Sequence, residues 1–539
     1  MLLLAAVAAL LLAAPAGRAP APGSAAAATD TFLVQAADLS AARDAVAAVG
    51  GQVSRELGLI DAVGAELTAA QVGRLRAQPA VQLFENTRLE IGSWVRIGEE
   101  EGPAVTIDDN KALIGVDALH AAGITGENVT IAFVDTGLTP QEASLTANLA
   151  GLNRVLAVHD TTSDPTISGT AAVDLSGHGT HLVSLAASAL KADGRYEGIA
   201  PNADLVIVKA FGADGAGSYL DVIAAIDWVV GNSARYNIRV LNLSFSAPPN
   251  SYYWDDPLNQ AVMKAWASGI VVVAAAGNRG PDPLTIGVPG NVPYIITVGA
   301  ISDNHTPTDA GDDFLTSFSS AGPTYEGFVK PELVALGGHM KGIMPIKAQI
   351  ALDYPQYFEP DGRYRMSGTS QATAITSGVV ALLLEANPAL TPDDLKCRLL
   401  SSANLALDAD DLPAYSVFQQ GAGLLHAADA VASDANGCAN RGLDIDSDLD
   451  GTQHYQGGAN QDADGNYYLP GLDGFAWSGD YAWSDGFAWS DGFAWSDGFA
   501  WSDGFAWSDG FAWSDGFAWS DGFVWSDAST GVNQWVTQE

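Results

Sequence analysis

The hydrophobic pattern of the chain changes character several times, and each change marks a different kind of unit. It begins with an unbroken apolar run from Leu2 to Ala14, followed by small residues up to Ala28. That length suits the core of an export signal and falls short of the roughly 20 residues needed to cross a bilayer. No Lys or Arg precedes the run, which is atypical for a signal. Residues 1–28 are read as a signal peptide all the same.

From 31 to 91 short apolar stretches alternate with amphipathic ones: TFLVQA, LSAARDAVAAVGG, QVSRELGLIDAVGAEL, TAAQVGRLRAQPA and VQLFENTRLE. The order predicted is strand, helix, two strands around a turn, helix, strand. Ser40 and Thr68 supply helix starts, and Gly50-Gly51 a stop. Residues 29–97 are therefore expected to form a small α+β, ferredoxin-like domain. Its place behind a leader suits a folding or inhibitory prosegment, with a generic recognition domain as the alternative.

Between 103 and 433 the period changes. Continuous β-branched runs (VTIAFVDTG, ADLVIVKAFG, IRVLNLSF, GIVVVAAAGN, YIITVGA) alternate with the helical stretches SLAASAL, YLDVIAAIDWVV and LNQAVMKAWASG. Strands apolar on both faces, separated by helices, predict an α/β fold with a mostly parallel sheet covered on both sides. Ligands of such sheets bind beyond the carboxyl ends of the strands. The loops that follow the strands are where chemistry is to be sought.

Residues 434–472 form an Asp- and Gly-rich linker, 473–527 carry a six-residue repeat and 528–539 a tail; SDGFAW is perfect in six copies from Ser484 to Trp519. Phe and Trp at i and i+2 share a strand face, and Asp-Gly is a favoured hairpin turn. Nine of the 14 Trp lie in this stretch, more than a spacer needs. An attachment or assembly role, on a cell surface for example, competes with low-complexity sequence of no selected function.

Composition narrows the field. With 63 acidic and 24 basic residues the net charge is -39, which repels nucleic acid and anionic membranes at long range. A soluble exported protein, or a salt-rich setting, fits better. The two cysteines, Cys397 and Cys438, can pair in an oxidising compartment or remain separate buried thiols.

Three loop residues carry the candidate chemistry. Asp135 closes the strand VTIAFVD, His178 stands at the mouth of a helix in SGHGTHLVSLAAS, and Ser370 opens another in RMSGTSQATA. Each taken alone is more often a cap or a structural group. Together they supply what acyl transfer requires: a hydroxyl nucleophile, an imidazole to take its proton, and a carboxylate to orient the imidazolium. Asn278 in VVVAAAGN can donate its amide to the oxyanion, alongside the backbone N–H of Ser370.

The segments VDTG, HGTH, AAAGN and GTSQA, in the order Asp, His, Asn, Ser, resemble the signature segments of the subtilisin-like serine proteases, the subtilase or peptidase S8 family. The resemblance spans about 103–433, and the preceding unit is similar to the inhibitor-type prosegment of that family. It implies a subtilisin-like fold, a serine endopeptidase with Asp135, His178 and Ser370 as triad and Asn278 at the oxyanion, and a secreted precursor that processes itself between roughly residues 88 and 105. Its own prosegment would be an intramolecular inhibitor. Leu241, Asn242, Leu243, Ser244 and Phe245 are similar to the segment that pairs with the substrate backbone. In the related sedolisins a Glu stands where His178 stands.

There are departures: Gln371, Thr373, Ala374 and Ile375 replace the usual residues after the nucleophile segment, Ser246 stands for a Gly, and Leu336 for the Pro of an Ala-Pro-Gly turn. None removes a reacting group. The chemistry implied needs no cofactor. Calcium enters through Asp446, Asp448 and Asp450, which read D-x-D-x-D-G like the front of an EF-hand loop but lack its closing Glu, Gly457 standing there. A second half-loop at Asn460, Asp462 and Asp464 has the same defect. The rival to the protease reading is a surface-attached binding or structural protein on a protease-like scaffold.

Overall fold

The computed structural model describes residues 28–89, 113–162, 172–304, 306, 310–408, 412–463 and 465–470. The leader, the end of the prosegment unit and the hexapeptide repeat of the sequence reading lie outside the described residues.

The first unit runs β1 (Thr29–Gln35), α1 (Leu39–Ala48), β2 (Gln52–Leu57), β3 (Ala62–Thr68), α2 (Ala69–Arg76), β4 (Gln82–Glu85) and β5 (Arg88–Leu89). Its antiparallel sheet has the order β2-β3-β1-β4. The order of elements is the one expected. Helix α1 starts earlier than Ser40 because the carboxylate of Asp38 accepts from the Ala41 N–H at 2.8 Å and takes the capping position. At Thr68 the capping box with Gln71 is present.

Period-two alternation gives this sheet two jobs. Phe32 and Val34 of β1 face the two helices in one small core, while Leu33 between them joins the core of the larger domain. The N-terminal unit thus adds Leu33, Leu57, Ile60, Ala62 and Phe84 to the core of the larger domain.

The larger domain contains β6 (Thr130–Asp135), β7 (Val155–Asp160), α3 (His178–Ala187), β8 (Asp204–Lys209), β9 (Gly217–Ser218), α4 (Tyr219–Tyr236), β10 (Ile238–Leu243), α5 (Pro257–Ala267), β11 (Val271–Ala275), β12 (Ile296–Ser302), β13 (Phe314–Leu315), β14 (Leu333–Leu336), β15 (Met340–Gly342), β16 (Tyr364–Met366), α6 (Thr369–Ala386) and α7 (Pro392–Ser401). The sheet order is β13-β12-β11-β10-β6-β8-β7, with β14 beside β12. Every pairing is parallel except that of β13. Strands β6 and β11 are buried at every position, as a sheet covered on both faces requires. Helices α3 and α6 pack together over one face, and α4 with α5 over the other. Edge strand β7 alternates between half-buried and exposed residues.

The Asp- and Gly-rich stretch lies against the domain as far as 470. Asp448, on the short helix Ile445–Leu449, is buried and accepts from the hydroxyls of Tyr253 and Tyr294 at 2.6 and 3.0 Å. Cys397 of α7 is disulfide-bonded to Cys438, which fastens the start of that stretch.

Candidate active site

Asp135 is the last residue of β6, so its side chain leaves the sheet at the carboxyl edge. Its Oδ1 accepts from the Thr136 N–H and lies 2.7 Å from Nδ1 of His178. His178 is the first residue of α3, and the helix start is held by a residue with no motif of its own, Asp174. One carboxylate oxygen of Asp174 accepts from Gly177 N–H and the Thr136 hydroxyl, the other from Thr180 N–H, all within 2.7–2.9 Å. The Thr136 hydroxyl in turn accepts from Gly179 N–H at 2.9 Å. Strand end and helix start are therefore locked to each other. The approach is so close that a Cβ on Gly179 would lie 2.3 Å from the Gly137 carbonyl, which is why the segment reads H-G-T-H.

Burying Asp135 and Asp174 side by side calls for a nearby cation. Lys209 at the end of β8 provides it: the side chain is fully buried, and Nζ donates to the carbonyls of Thr136 and Phe211 at 2.8 and 2.7 Å. Burial lowers its pKa, and the charges of Asp174, Asp160 and Asp135 oppose that. One turn along α3, His181 points away into the protein, where burial pushes its imidazole down to about 4 and Nε2 lies 3.0 Å from the Tyr364 carbonyl.

The third position is the second residue of α6. Ser367 and Gly368 link β16 to the helix, and the Ser370 hydroxyl donates to the Ser244 carbonyl at 2.9 Å. Asn278, beyond the end of β11, turns its Oδ1 toward Thr369, whose N–H and hydroxyl both donate to it at 2.9 Å. Its Nδ2 is thereby aimed away from Thr369, with the Ser370 residue next in the chain.

The residues after Ser370 that depart from the expected pattern are helix packing. Thr373 donates to the Thr369 carbonyl at 2.7 Å, and Gln371 and Ala374 are fully buried. Ser246 is packed between two glycines: a Cβ on Gly287 would lie 1.9 Å from its Oγ, and one on Gly277 2.7 Å away.

Two groups of expected residues have other partners in the fold. Leu241 and Asn242 lie within β10 and are paired to β6 on one edge and β11 on the other, while Leu243 is paired to β11. Past the end of the strand, Ser244 meets Ser370, whose hydroxyl donates to its carbonyl and whose carbonyl accepts from its hydroxyl, and Phe245 packs against Phe211. Asp446, Asp448 and Asp450 do not converge either. The helix turns Asp448 inward to two tyrosines and to His454, 2.7 Å away, and leaves the other two exposed. Among the described residues no group of three or more His, Cys, Asp or Glu is placed to hold a metal.

A further edge had no signal in the sequence reading. Leu89 and Arg88 of β5 pair antiparallel with Gly217 and Ser218 of β9, and Tyr219 N–H donates to the Thr87 carbonyl at 3.2 Å. An extended segment of this chain thus already occupies β9.

The model of the subtilase family matches residues 126–423, more than half of the chain. This chain belongs to the subtilase family. It is accordingly a serine endopeptidase. Serine protease AprX of Bacillus subtilis (strain 168) is 37% identical over 302 residues, which are 53% of this subtilase and 64% of that protein. Subtilisin E of the same strain is 30% identical over 364 residues, 67% of this subtilase and 80% of the relative. Alkaline protease of Alkalihalobacillus alcalophilus is 26% identical over 352 residues, 65% and 76% of the two chains.

Proposed function

We propose that this subtilase is a secreted endopeptidase that cleaves proteins and peptides through an acyl-enzyme on Ser370, and that it is made as a precursor whose prosegment blocks its own cleft. The observation that carries the reading is the buried Asp135–His178 contact at 2.7 Å. It holds the imidazole by Nδ1 and leaves Nε2 for the proton of the nucleophile.

His178 takes the Ser370 proton as the hydroxyl attacks the peptide carbonyl. The oxyanion is stabilised by Nδ2 of Asn278, whose orientation Thr369 fixes, and by the Ser370 N–H at the start of α6. His178 then returns the proton to the departing amine, and water, deprotonated in the same way, releases the acyl group. No cofactor takes part. An apolar core contact through Leu33 and the strand β5 on β9 support the inhibitory role of residues 29–97, whose removal would open β9 to substrate. The hexapeptide repeat is assigned to attachment at a cell surface. Casein hydrolysis by the processed chain, abolished in Ser370→Ala together with accumulation of the unprocessed precursor, tests the reading. Normal casein hydrolysis by that variant would refute it.

A further inference from the structure

Leu336, where a Pro is usual, ends β14 and is followed by Gly337, Gly338 and His339 before β15 begins. Strand β15 pairs antiparallel with β16, and β16 leads straight into Ser367–Ser370. The turn 337–339 and the loop of the nucleophile therefore lie side by side. Two backbone donors join them: Gly368 N–H to the Gly337 carbonyl at 2.9 Å, and His339 N–H to the Ser367 hydroxyl at 2.8 Å.

His339 holds this position with a left-handed backbone, φ +38°, which costs a residue bearing a Cβ of its size. Its ring is where the compensation is found. The side chain is 2% exposed, and Nε2 lies 2.5 Å from Oδ1 of Asp303, itself 1% exposed and next after the last residue of β12. The Ser302 hydroxyl is 3.4 Å from Nδ1. The turn also has no slack. A Cβ on Gly337 would lie 2.6 Å from that of Ala300 and 2.8 Å from the Gly368 carbonyl.

We propose that His339, held by Asp303, is a positioning residue for Ser370: it anchors the Ser367–Gly368 loop to the end of β12 and so sets where the hydroxyl attacks. This rests on Ser370 being the nucleophile. Because the substrate edges, β9 and the residues after β10, belong to other elements, loss of the anchor lowers turnover and spares substrate binding. Misplacement of a reacting group by about 1 Å costs up to about 100-fold in rate.

The test compares the processed full-length enzyme with His339→Leu, His339→Gln and Ser367→Ala, measuring kcat and KM on one peptide and the rate at which a fluorophosphonate labels Ser370. His339→Leu should lower kcat at least about tenfold with KM unchanged within about twofold, and slow labelling in proportion. His339→Gln, which keeps a donor for Asp303, should recover most of the loss. Ser367→Ala removes one hydroxyl only and should still lower kcat about threefold or more, so the result stands even if His339→Leu fails to fold. Wild-type kcat in Ser367→Ala, or Gln no better than Leu, would overturn the proposal. Absence of label on Ser370 in the wild type would overturn the nucleophile assignment as well, and is distinguished by that readout.

Discussion

Nδ1 of His178 meets Oδ1 of Asp135 at 2.7 Å in a place where the two side chains are 0% and 2% exposed. A carboxylate kept from water is a poor place to leave a charge unless it is paired and hydrogen-bonded. Here the Thr136 N–H, the imidazole and the field of Lys209 share it. The arrangement explains why the strand end, the helix start and a buried lysine had to be brought together before any nucleophile could act.

Asn278→Ala should retain folding and lose about 10² to 10³ in kcat with little change in KM, the cost found when the corresponding amide is removed from subtilisin. Thr369→Val should give a smaller loss of the same kind, because it frees Oδ1 of Asn278 from one of its two donors. Steady-state kinetics on a chromogenic peptide checks both, and a pure KM effect would contradict the role.

Asp174→Ala should destabilise the domain by about 2 kcal/mol or more, since it removes a helix cap and leaves buried donors unsatisfied. Gly177 N–H and Thr180 N–H lose this acceptor, and the Thr136 hydroxyl keeps only Asp135 at 3.2 Å. Urea unfolding measures the loss. Activity should fall more than stability at mild conditions, because the same residues aim His178.

His181 links stability to pH. Its folded value is about 4 against an ordinary 6.5, so the unfolded chain binds the proton more tightly and stability falls as pH drops from about 6.5 to 4. The full shift corresponds to about 3 kcal/mol. Asp256 and Glu326, raised by burial to about 6, act with the opposite sign. They cancel in the difference between wild type and His181→Asn. That difference, followed by denaturant melts across this window, should shrink toward acid; a pH-independent difference would contradict the account.

Much of this was legible in the sequence, and the parts that were not share a cause. Asp135, His178, Asn278 and Ser370 each sit where an apolar β-branched run or a helix pattern breaks, so pattern and chemistry point to the same places. The elements of residues 29–89 follow the period of their apolar residues. Asp174, Lys209, His339 and Asp303 act through contacts between elements distant in sequence, and a lone Asp, Lys or His has no local pattern to mark it. The pairing of Leu241–Leu243 within the sheet left no mark because an apolar strand next to the site looks the same whether its edges are free or paired. The inward turn of Asp448 left no mark because a helix, started by Asp444 accepting from Asp446 and Ser447 N–H, puts alternate residues on different faces.

Prosegment docking is testable through one ion pair. Arg55 reaches Asp221 of α4 at 2.9 Å, with the side chains 27% and 10% exposed. Arg55→Ala should weaken the contact by about 1 kcal/mol, near fivefold, and Arg55→Glu by more. Peptide-hydrolysing activity should then appear sooner after the purified precursor is diluted into assay buffer. A delay, or no change in either variant, would argue against a role for this face in inhibition.

The central claim is that Ser370, activated by His178, is the nucleophile. Labelling with a fluorophosphonate followed by peptide mapping tests it most directly. The account predicts one adduct on Ser370 in the processed enzyme, none in Ser370→Ala, and labelling slowed by at least about 10³ in His178→Ala. An adduct on another residue, or undiminished labelling of Ser370→Ala, would contradict it.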